Sequence, residues 1–248
     1  MLKQTLKSIY HKHYRFKKIK VLGRTACLGN EIIKQMGWSK GYINHQKSRV
    51  DYLLELTKNN SIAPNPKEIL CYLKHKFIIG TIEKQKSDFF DYKKPDIIVI
   101  DSYSELTDQL FVNENNNTRF LANYNDVNHQ LLPAYYKCKG LIENNLCEYY
   151  DLFFNKIECV YSDTPVYFIH FSTILDTREK FNKREKIIKE IILKLSKKYA
   201  FIKIIDIDDN KIKQANSGSK EYKNLPYHYS DATYSVFVSK LKETILNV

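Results

Sequence analysis

Residues 96–106 read DIIVIDSYSEL, and this stretch predicts a strand, a sharp turn and a helix in succession. The run at 97–100 is continuous and β-branched, which is typical of a parallel strand covered on both faces. Ser102 comes at the turn that follows, and Leu106 fits the helix. Ligands of α/β sheets bind at the carboxyl ends of the strands, so Ser102 is the first candidate site residue.

Three further apolar runs repeat this pattern, at residues 19–23, 165–171 and 201–205. Residues 183–199 place isoleucines on one face and lysines on the other, as in an amphipathic helix. A last helix begins at Ser230 or Asp231. Alternating strands and helices predict an α/β protein with a mostly parallel sheet and helices on both faces.

Residues 111–160 do not follow this alternation and are rich in Asn, Tyr and Phe. We expect a helical or loop insertion here, which lies over the sheet as a lid on the active site. A length of 248 residues suits one large domain, so residues 1–248 are predicted to form a single catalytic domain.

The chain carries 40 Lys and Arg against 28 Asp and Glu, a net charge of +12. An AT-rich genome produces this composition without any functional reason. Alternatively, the charge indicates an acidic partner, such as nucleic acid, an anionic membrane surface or a polyanionic substrate. The sequence contains no helix-turn-helix, zinc-finger or RNP pattern, which weakens the nucleic-acid interpretation. The basic and aromatic segment 12–20 suits either a membrane contact or a solvated lead-in to the first strand.

Membrane insertion, secretion and metal binding find little support in the sequence. The longest apolar runs reach about six residues, against about 18 needed to span a bilayer. The N-terminal residues lack the apolar core of a secretory signal. The five cysteines are widely spaced without a CxxC pair, so we expect buried free thiols rather than disulfides or a zinc site. These features predict a cytoplasmic protein without a metal.

Two more candidate site residues follow the later strands. Asp176 comes after the third strand, and His228 lies in the loop before the last helix, where a general base is expected. Among the other histidines, His75 is predicted in a lysine-rich helix and His170 as a hydrogen-bonded residue of the core. The chain order Ser102, Asp176, His228 is that of the α/β-hydrolase triad.

In this predicted triad, His228 takes the proton of Ser102, while Asp176 holds the imidazole and stabilises its charge. The backbone N–H of Tyr103 and one N–H in the loop 23–27 are predicted to form the oxyanion hole.

Several assignments stay open from the residues alone. Ser102 and Asp176 also suit the N-caps of the helices that follow them. The rival nucleophiles are Ser104, Thr25 and Cys27, and the rival acids are Asp206 and Asp208.

Two segments resemble known families. Residues 225–234, LPYHYSDATY, resemble the closing histidine motif of SGNH-like and α/β-hydrolase-like proteins of bacterial surface-polysaccharide loci. Residues 165–176, PVYFIHFSTILD, resemble the run that carries the acid in many α/β-hydrolases, although Phe171 replaces its glycine and Asp176 comes slightly late.

The SGNH pattern fits less well than the α/β-hydrolase one. Arg24 and Thr25 follow Gly23 where SGNH proteins have Asp and Ser, and Leu225 stands where they have Asp. The resemblance therefore favours an α/β-hydrolase-like arrangement.

In length and in its Lys-, Asn- and Ile-rich composition, the chain resembles the capsule polysaccharide O-acetyltransferases of the meningococcal serogroup A type. This resemblance implies that acetyl passes from acetyl-CoA, through an acetyl-serine, to N-acetylmannosamine hydroxyls of a phosphodiester-linked capsular polysaccharide. It further implies peripheral association with the capsule assembly machinery at the inner membrane, and no nucleic-acid partner. Arg24, Thr25 and Tyr103 are then expected beside acetyl-CoA. The alternatives are a carbohydrate esterase of the same fold and a basic nucleic-acid-binding protein.

Overall fold

A computed structural model describes residues 19–59, 62–75, 77–215 and 226–246. Within these ranges the strands are β1 (Val21–Arg24), β2 (Tyr42–Asn44), β3 (Ile97–Asp101), β4 (Asp108–Asn113), β5 (Arg119–Asn123), β6 (Tyr136–Cys138), β7 (Val166–Ile169) and β8 (Ile202–Ile205). The helices are α1 (Cys27–Gln35), α2 (Val50–Lys58), α3 (Pro66–Ile69), α4 (Phe77–Lys84), α5 (Tyr103–Thr107), α6 (Leu146–Val160), α7 (Glu179–Lys198) and α8 (Asp231–Leu246).

Five of the strands form one parallel sheet in the order β2-β1-β3-β7-β8. Every residue of β1, β3 and β7 is buried, as their continuous apolar runs predict, because helices cover the sheet. The predicted α/β class, with a parallel sheet and helices packed on it, is confirmed. The strand order is a doubly wound one, whose usual ligand site is the crevice between β1 and β3.

The helices pack on the sheet as neighbours of one another: α1 contacts α8, and α2 contacts α6. α7 packs against β8, and its Ile188, Ile192 and Leu195 are buried. The helix begins earlier than its predicted start at 183, and Ile187 on its predicted apolar face is 51% exposed. The apolar stripe of α7 is therefore narrower than its sequence suggests.

Residues 108–138 contain a second, antiparallel sheet in the order β5-β4-β6. Phe111 of β4 and Phe120 of β5 stack with their ring centroids 4.9 Å apart, at the centre of a separate apolar cluster. Asn117 turns the chain between these strands with a positive φ of 58°. An asparagine accepts this conformation more readily than most residues, which allows the hairpin to close.

The expectation of a helical or loop insertion over residues 111–160 is therefore wrong for its first part, which pairs as strands. Its last part is helical, as expected: it is α6, whose Tyr150, Phe153 and Phe154 are buried in the core of the main sheet. The apolar residues of β4 and β5 are few, and the asparagine-rich residues 114–117 between them form the turn of the hairpin.

Sequence patterns also do not predict β2, a three-residue strand at the edge of the main sheet. Gly41 directly precedes it, and a Cβ atom at this position would lie 1.9 Å from the carbonyl oxygen of Ile19. Only glycine permits such a close approach of two backbones.

The cysteines are less buried than the sequence predicts. All five cysteines are free, but Cys71, Cys138 and Cys159 are exposed, so the prediction of buried thiols is wrong for these three. Among the described residues, no helix is long and apolar enough to cross a membrane. The segment 12–20 lies almost entirely outside the described residues.

Two histidines lie in the interior without a hydrogen-bond partner in the described part of the chain. His45 follows β2 and packs edge-on against Phe89 and Tyr92, at 5.3 Å from each ring centroid. His170 follows β7, and neither of its ring nitrogens is bonded, so its prediction as a hydrogen-bonded core residue is wrong. Burial lowers the pKa of both imidazoles to about 4 and keeps them neutral at pH 7.

We expect acid to destabilise the protein through these histidines. In the unfolded chain an imidazole binds its proton near pH 6.5, whereas folded His45 binds it only near pH 4. The unfolded state therefore holds more protons between these values, and the free energy of unfolding falls as the pH falls through them. Between pH 7 and pH 4.5, the wild type should lose about 2 kcal/mol more than His45→Phe in urea titrations followed by circular dichroism. Carboxylates that titrate in the same range are present in both proteins, so their effect cancels in the comparison. An equal pH dependence of the unfolding free energy in the wild type and His45→Phe would contradict the prediction.

Candidate active site

A cavity of about 900 Å³ opens at the carboxyl ends of the parallel strands. Its wall is formed by the loops that follow β1, β2, β3 and β7, by residues 226–228 before α8, and by residues 123–126 at the end of β5. The position agrees with the β1–β3 crevice of doubly wound sheets, and the volume suits a small-molecule ligand.

Cys27, the first residue of α1, contributes its side chain to this wall. Its Sγ donates to the backbone carbonyl of Tyr227 at 3.4 Å, directly before His228 in the chain. Burial and the nearby Asp101 carboxylate raise the pKa of the thiol to about 12. At neutral pH Cys27 is therefore a thiol, which requires a base before it can act as a nucleophile.

Ser102, the predicted nucleophile, lies below the cavity wall and is 1% exposed. Its Oγ accepts a hydrogen bond from the N–H of Phe171 at 3.0 Å, which ties the end of β3 to the end of β7. The catalytic role of Ser102 stays a prediction.

The other two hydroxyl candidates are also buried and bonded internally. Ser104 hydrogen-bonds to the Asp108 carboxylate, and Thr25 hydrogen-bonds to the hydroxyl of Tyr42. Of the four nucleophile candidates, Cys27 is the one that lines the cavity.

Asp101, the last residue of β3, fills the position where the oxyanion hole is predicted. Its Oδ2 accepts from the N–H of Ala26 at 2.7 Å, and its Oδ1 accepts from the N–H of Tyr103 at 3.2 Å. The N–H of Thr25 donates to Asn44, at 3.0 Å. A helix N-terminus favours an anion, and here the protein supplies its own carboxylate. The prediction that these N–H groups form the oxyanion hole is therefore wrong, because each of them already donates to Asp101 or Asn44.

Asp176, the predicted triad acid, lines the cavity and binds Arg178. The guanidinium donates to both carboxylate oxygens, at 2.9 and 2.8 Å, and the Tyr227 hydroxyl donates to the same carboxylate. Burial by itself raises the pKa of Asp176, but these hydrogen bonds outweigh it and hold the pKa below its ordinary value. Arg178 is a cavity residue that the sequence analysis missed, and its closeness to Asp176 in the chain was the only signal for it.

His228 lines the same cavity as Cys27 and Asp176. Burial lowers its pKa, so the neutral ring is able to accept a proton at pH 7. His75 also lines the cavity and lies in the coil before α4, not in the predicted lysine-rich helix. The catalytic roles of His228 and Asp176 stay predictions.

The rival acids after β8 lie away from this wall. Asp206 pairs with Lys189 of α7 at 2.6 Å, and Asp208 precedes a short turn of helix at residues 209–211. Neither carboxylate lines the cavity.

Arg24, predicted to hold acetyl-CoA, lies in the core instead. It is 1% exposed, and its Nη1 donates to Glu105 at 2.6 Å and to the carbonyl of Ser48 at 3.0 Å. The prediction is wrong for Arg24, because its charge is neutralised inside the fold. Thr25, also expected beside acetyl-CoA, is buried as well. Tyr103, the third residue expected there, lines the cavity.

The charged side chains of the wall balance one another. Lys47 lies 2.8 Å from Asp126 and 3.4 Å from Asp108, and Arg178 pairs with Asp176. The cavity itself is therefore not electropositive, although the chain has a net charge of +12.

The thiol of Cys27 should react slowly with iodoacetamide at neutral pH. Because its pKa is raised to about 12, the reactive thiolate is scarce at pH 7 and increases steadily up to pH 10. Peptide-resolved mass spectrometry of one digest measures this, with the exposed Cys71 and Cys159 as internal references. Alkylation of Cys27 at pH 7 as fast as that of the references would contradict the prediction.

Comparisons with known proteins give little. No family model and no curated protein matches the sequence. A solved structure from Streptococcus pneumonia, provisionally described as a platelet activating factor, is similar with 13% sequence identity and a TM-score of 0.44, covering 98% of this chain and 92% of its own. A structural similarity as low as this one does not indicate which reaction the protein performs.

Proposed function

We propose that this cavity performs acyl transfer, with Cys27 as the nucleophile and His228 as the general base. The observation that carries the proposal is that a thiol and a neutral imidazole line one cavity at the carboxyl ends of the strands. The thiol already donates to the carbonyl that precedes His228, so the base lies on an adjoining residue. A thiol with a raised pKa and a base with a lowered pKa suit proton transfer at the moment of attack.

The donor is an acetyl thioester, acetyl-CoA. The Cys27 sulfur attacks the acetyl carbonyl, and the thiol proton passes to His228. The bond between the acetyl carbon and the CoA sulfur then breaks, and the imidazolium returns the proton to the leaving CoA thiolate. The products of this half-reaction are acetyl-Cys27 and free CoA.

The acceptor is a sugar hydroxyl. Its oxygen attacks acetyl-Cys27 while its proton passes to His228, and the proton returns to the Cys27 sulfur as that sulfur leaves. An O-acetyl ester forms and the thiol is restored. Arg178 is proposed as the donor to the oxyanion through Nη1, because its Nε and Nη2 bind Asp176 and because Asp101 occupies the backbone N–H groups of Ala26 and Tyr103.

The uncharged acetyl group and the anionic phosphates of the substrates suit different parts of the protein. The balanced cavity suits the uncharged acetyl end of acetyl-CoA. The CoA phosphates and the phosphodiesters of a capsular polysaccharide then meet the basic surface that a net charge of +12 provides. An anionic capsular polysaccharide therefore stays the proposed acceptor, in line with the family that the sequence resembles.

The test is to trap the acyl-enzyme. The full chain is incubated with acetyl-CoA, with and without de-O-acetylated capsular polysaccharide, while free CoA thiol and intact mass are measured. We expect an acetyl adduct on Cys27 by peptide mapping, and CoA release that rises with the acceptor. An adduct on Ser102 would show that the serine, and not Cys27, is the nucleophile. Equal CoA release with and without acceptor would show that water accepts the acetyl group, as in a hydrolase. The absence of any adduct or CoA release would contradict acyl transfer.

A further inference from the structure

A second cleft, of about 530 Å³, lies on the antiparallel sheet. It is lined by Glu68, Tyr72, Asn113, Asn115, Asn116, Tyr135 and Tyr136, and we name it the tyrosine cleft. We propose that the tyrosine cleft binds an uncharged pyranose unit of a glycan chain. Its role in presenting that chain to the active-site cavity rests on the proposed function, but sugar binding itself does not.

The aromatic side chains provide a face for a sugar ring. The Tyr136 ring is buried and fixed, with the centroids of Tyr72 and Tyr135 at 6.1 and 5.4 Å from it. Tyr135 remains 38% exposed. A pyranose ring carries apolar C–H groups on one face and hydroxyls around its edge, so its C–H face packs on an exposed tyrosine ring.

The polar side chains of the cleft match the hydroxyl edge. The exposed Asn115 brings an amide that both donates and accepts, and Glu68 brings acceptor oxygens. The Asn116 Oδ1 already accepts from the N–H and the hydroxyl of Thr118, so Asn116 offers its amide N–H groups as donors. None of the described residues that line the cleft is Lys or Arg. A phosphate would meet the Glu68 carboxylate without a compensating cation, so this chemistry favours the uncharged ring of a sugar unit. The phosphodiesters of an anionic glycan would lie outside the cleft.

The tyrosine cleft and the active-site cavity are joined by a short segment, residues 72–75. Tyr72 lines the cleft and His75 lines the cavity, while Leu73 between them forms a bridge with Val127. Even a fully extended chain spans only about 10 Å over three residues, so the two sites lie close together. A glycan held at the cleft therefore reaches the cavity within a few sugar units, which suits a polymer better than a free monosaccharide.

Saturation-transfer NMR with the full chain tests this inference, with chitotetraose and maltotetraose as neutral probes and a heparin tetrasaccharide as the anionic one. We expect saturation transfer to a neutral probe. We expect Tyr135→Ala to weaken its binding by about fivefold or more, and Tyr135→Phe to retain most of it. The matched control is Tyr124→Ala, which removes a tyrosine that is 48% exposed outside the cleft and should leave binding unchanged.

Two results would overturn the inference: no saturation transfer to either neutral probe, or equal binding by Tyr135→Ala and the wild type. Preferred binding of the heparin probe would also overturn it. The same titration with His228→Ala separates this inference from the proposed function. His228→Ala should lose acetyl transfer but still bind the neutral probes. If the wild type binds these probes but releases no CoA from acetyl-CoA, the cleft is supported and the proposed function alone is contradicted.

Discussion

The Cys27→Ala variant should lose at least about 10³-fold in the rate of acetyl transfer, because no acyl-enzyme forms without the thiol. The His228→Ala variant should lose about 10²- to 10⁴-fold, since the thiol, with its pKa raised to about 12, then has no base at neutral pH. Release of free CoA from acetyl-CoA in the presence of acceptor measures both rates.

Two further variants serve as controls for this result. Cys147→Ala removes another partly buried thiol, one that lies in α6 outside the cavity, and should keep full activity. Ser102→Ala removes the bond to Phe171 and should lower stability more than activity. If Ser102→Ala were inactive and Cys27→Ala active, the serine triad of the sequence prediction would be right and the thiol mechanism wrong.

The Glu105→Ala variant should lose about 3–5 kcal/mol of unfolding free energy, because it leaves the charge of Arg24 unpaired in the core. The Glu105 carboxylate accepts from Arg24 at 2.6 Å, from the N–H of Val50 at 2.9 Å and from the Tyr150 hydroxyl at 2.9 Å. Glu105 therefore joins the end of β1, the start of α2 and the middle of α6. Urea unfolding followed by circular dichroism measures the loss.

A double-mutant cycle with Arg24→Met isolates the ion pair. The double variant should lose less than the sum of the two single losses, because neither charge is then left alone. Glu179→Ala breaks the exposed pair with Lys183 on α7 and should change stability by less than about 0.5 kcal/mol. A loss in Glu105→Ala no larger than in this surface control would show that the buried pair does not stabilise the fold.

The sequence predicts those strands that are formed by a continuous run of apolar residues. β1, β3, β7 and β8 follow the four apolar runs, since a parallel strand covered by helices requires continuous apolar residues. β2 and the β4–β5 hairpin escape prediction for a different reason. β2 has three residues and exists through its pairing with β1. β4 and β5 each contain only a few apolar residues, and they form a sheet through their pairing with each other.

Site residues are predicted less well than strands. The sequence places His228, Asp176 and Tyr103 at the ends of elements, and all three line the cavity. It favours Ser102 as the nucleophile and keeps Cys27 as a rival, although each follows a buried strand. Local pattern does not show which partner each side chain meets.

The sequence by itself determined the α/β class and the end of the sheet that carries the polar residues, because both follow from the order of apolar runs and turns along the chain. The tertiary structure alone decided which of those residues reach the cavity. The Ser102 hydroxyl is bonded to the N–H of Phe171, a residue 69 positions away, and the N–H of Ala26 is bonded to Asp101, 75 positions away. Such partners depend on the strand order, which places β3 between β1 and β7.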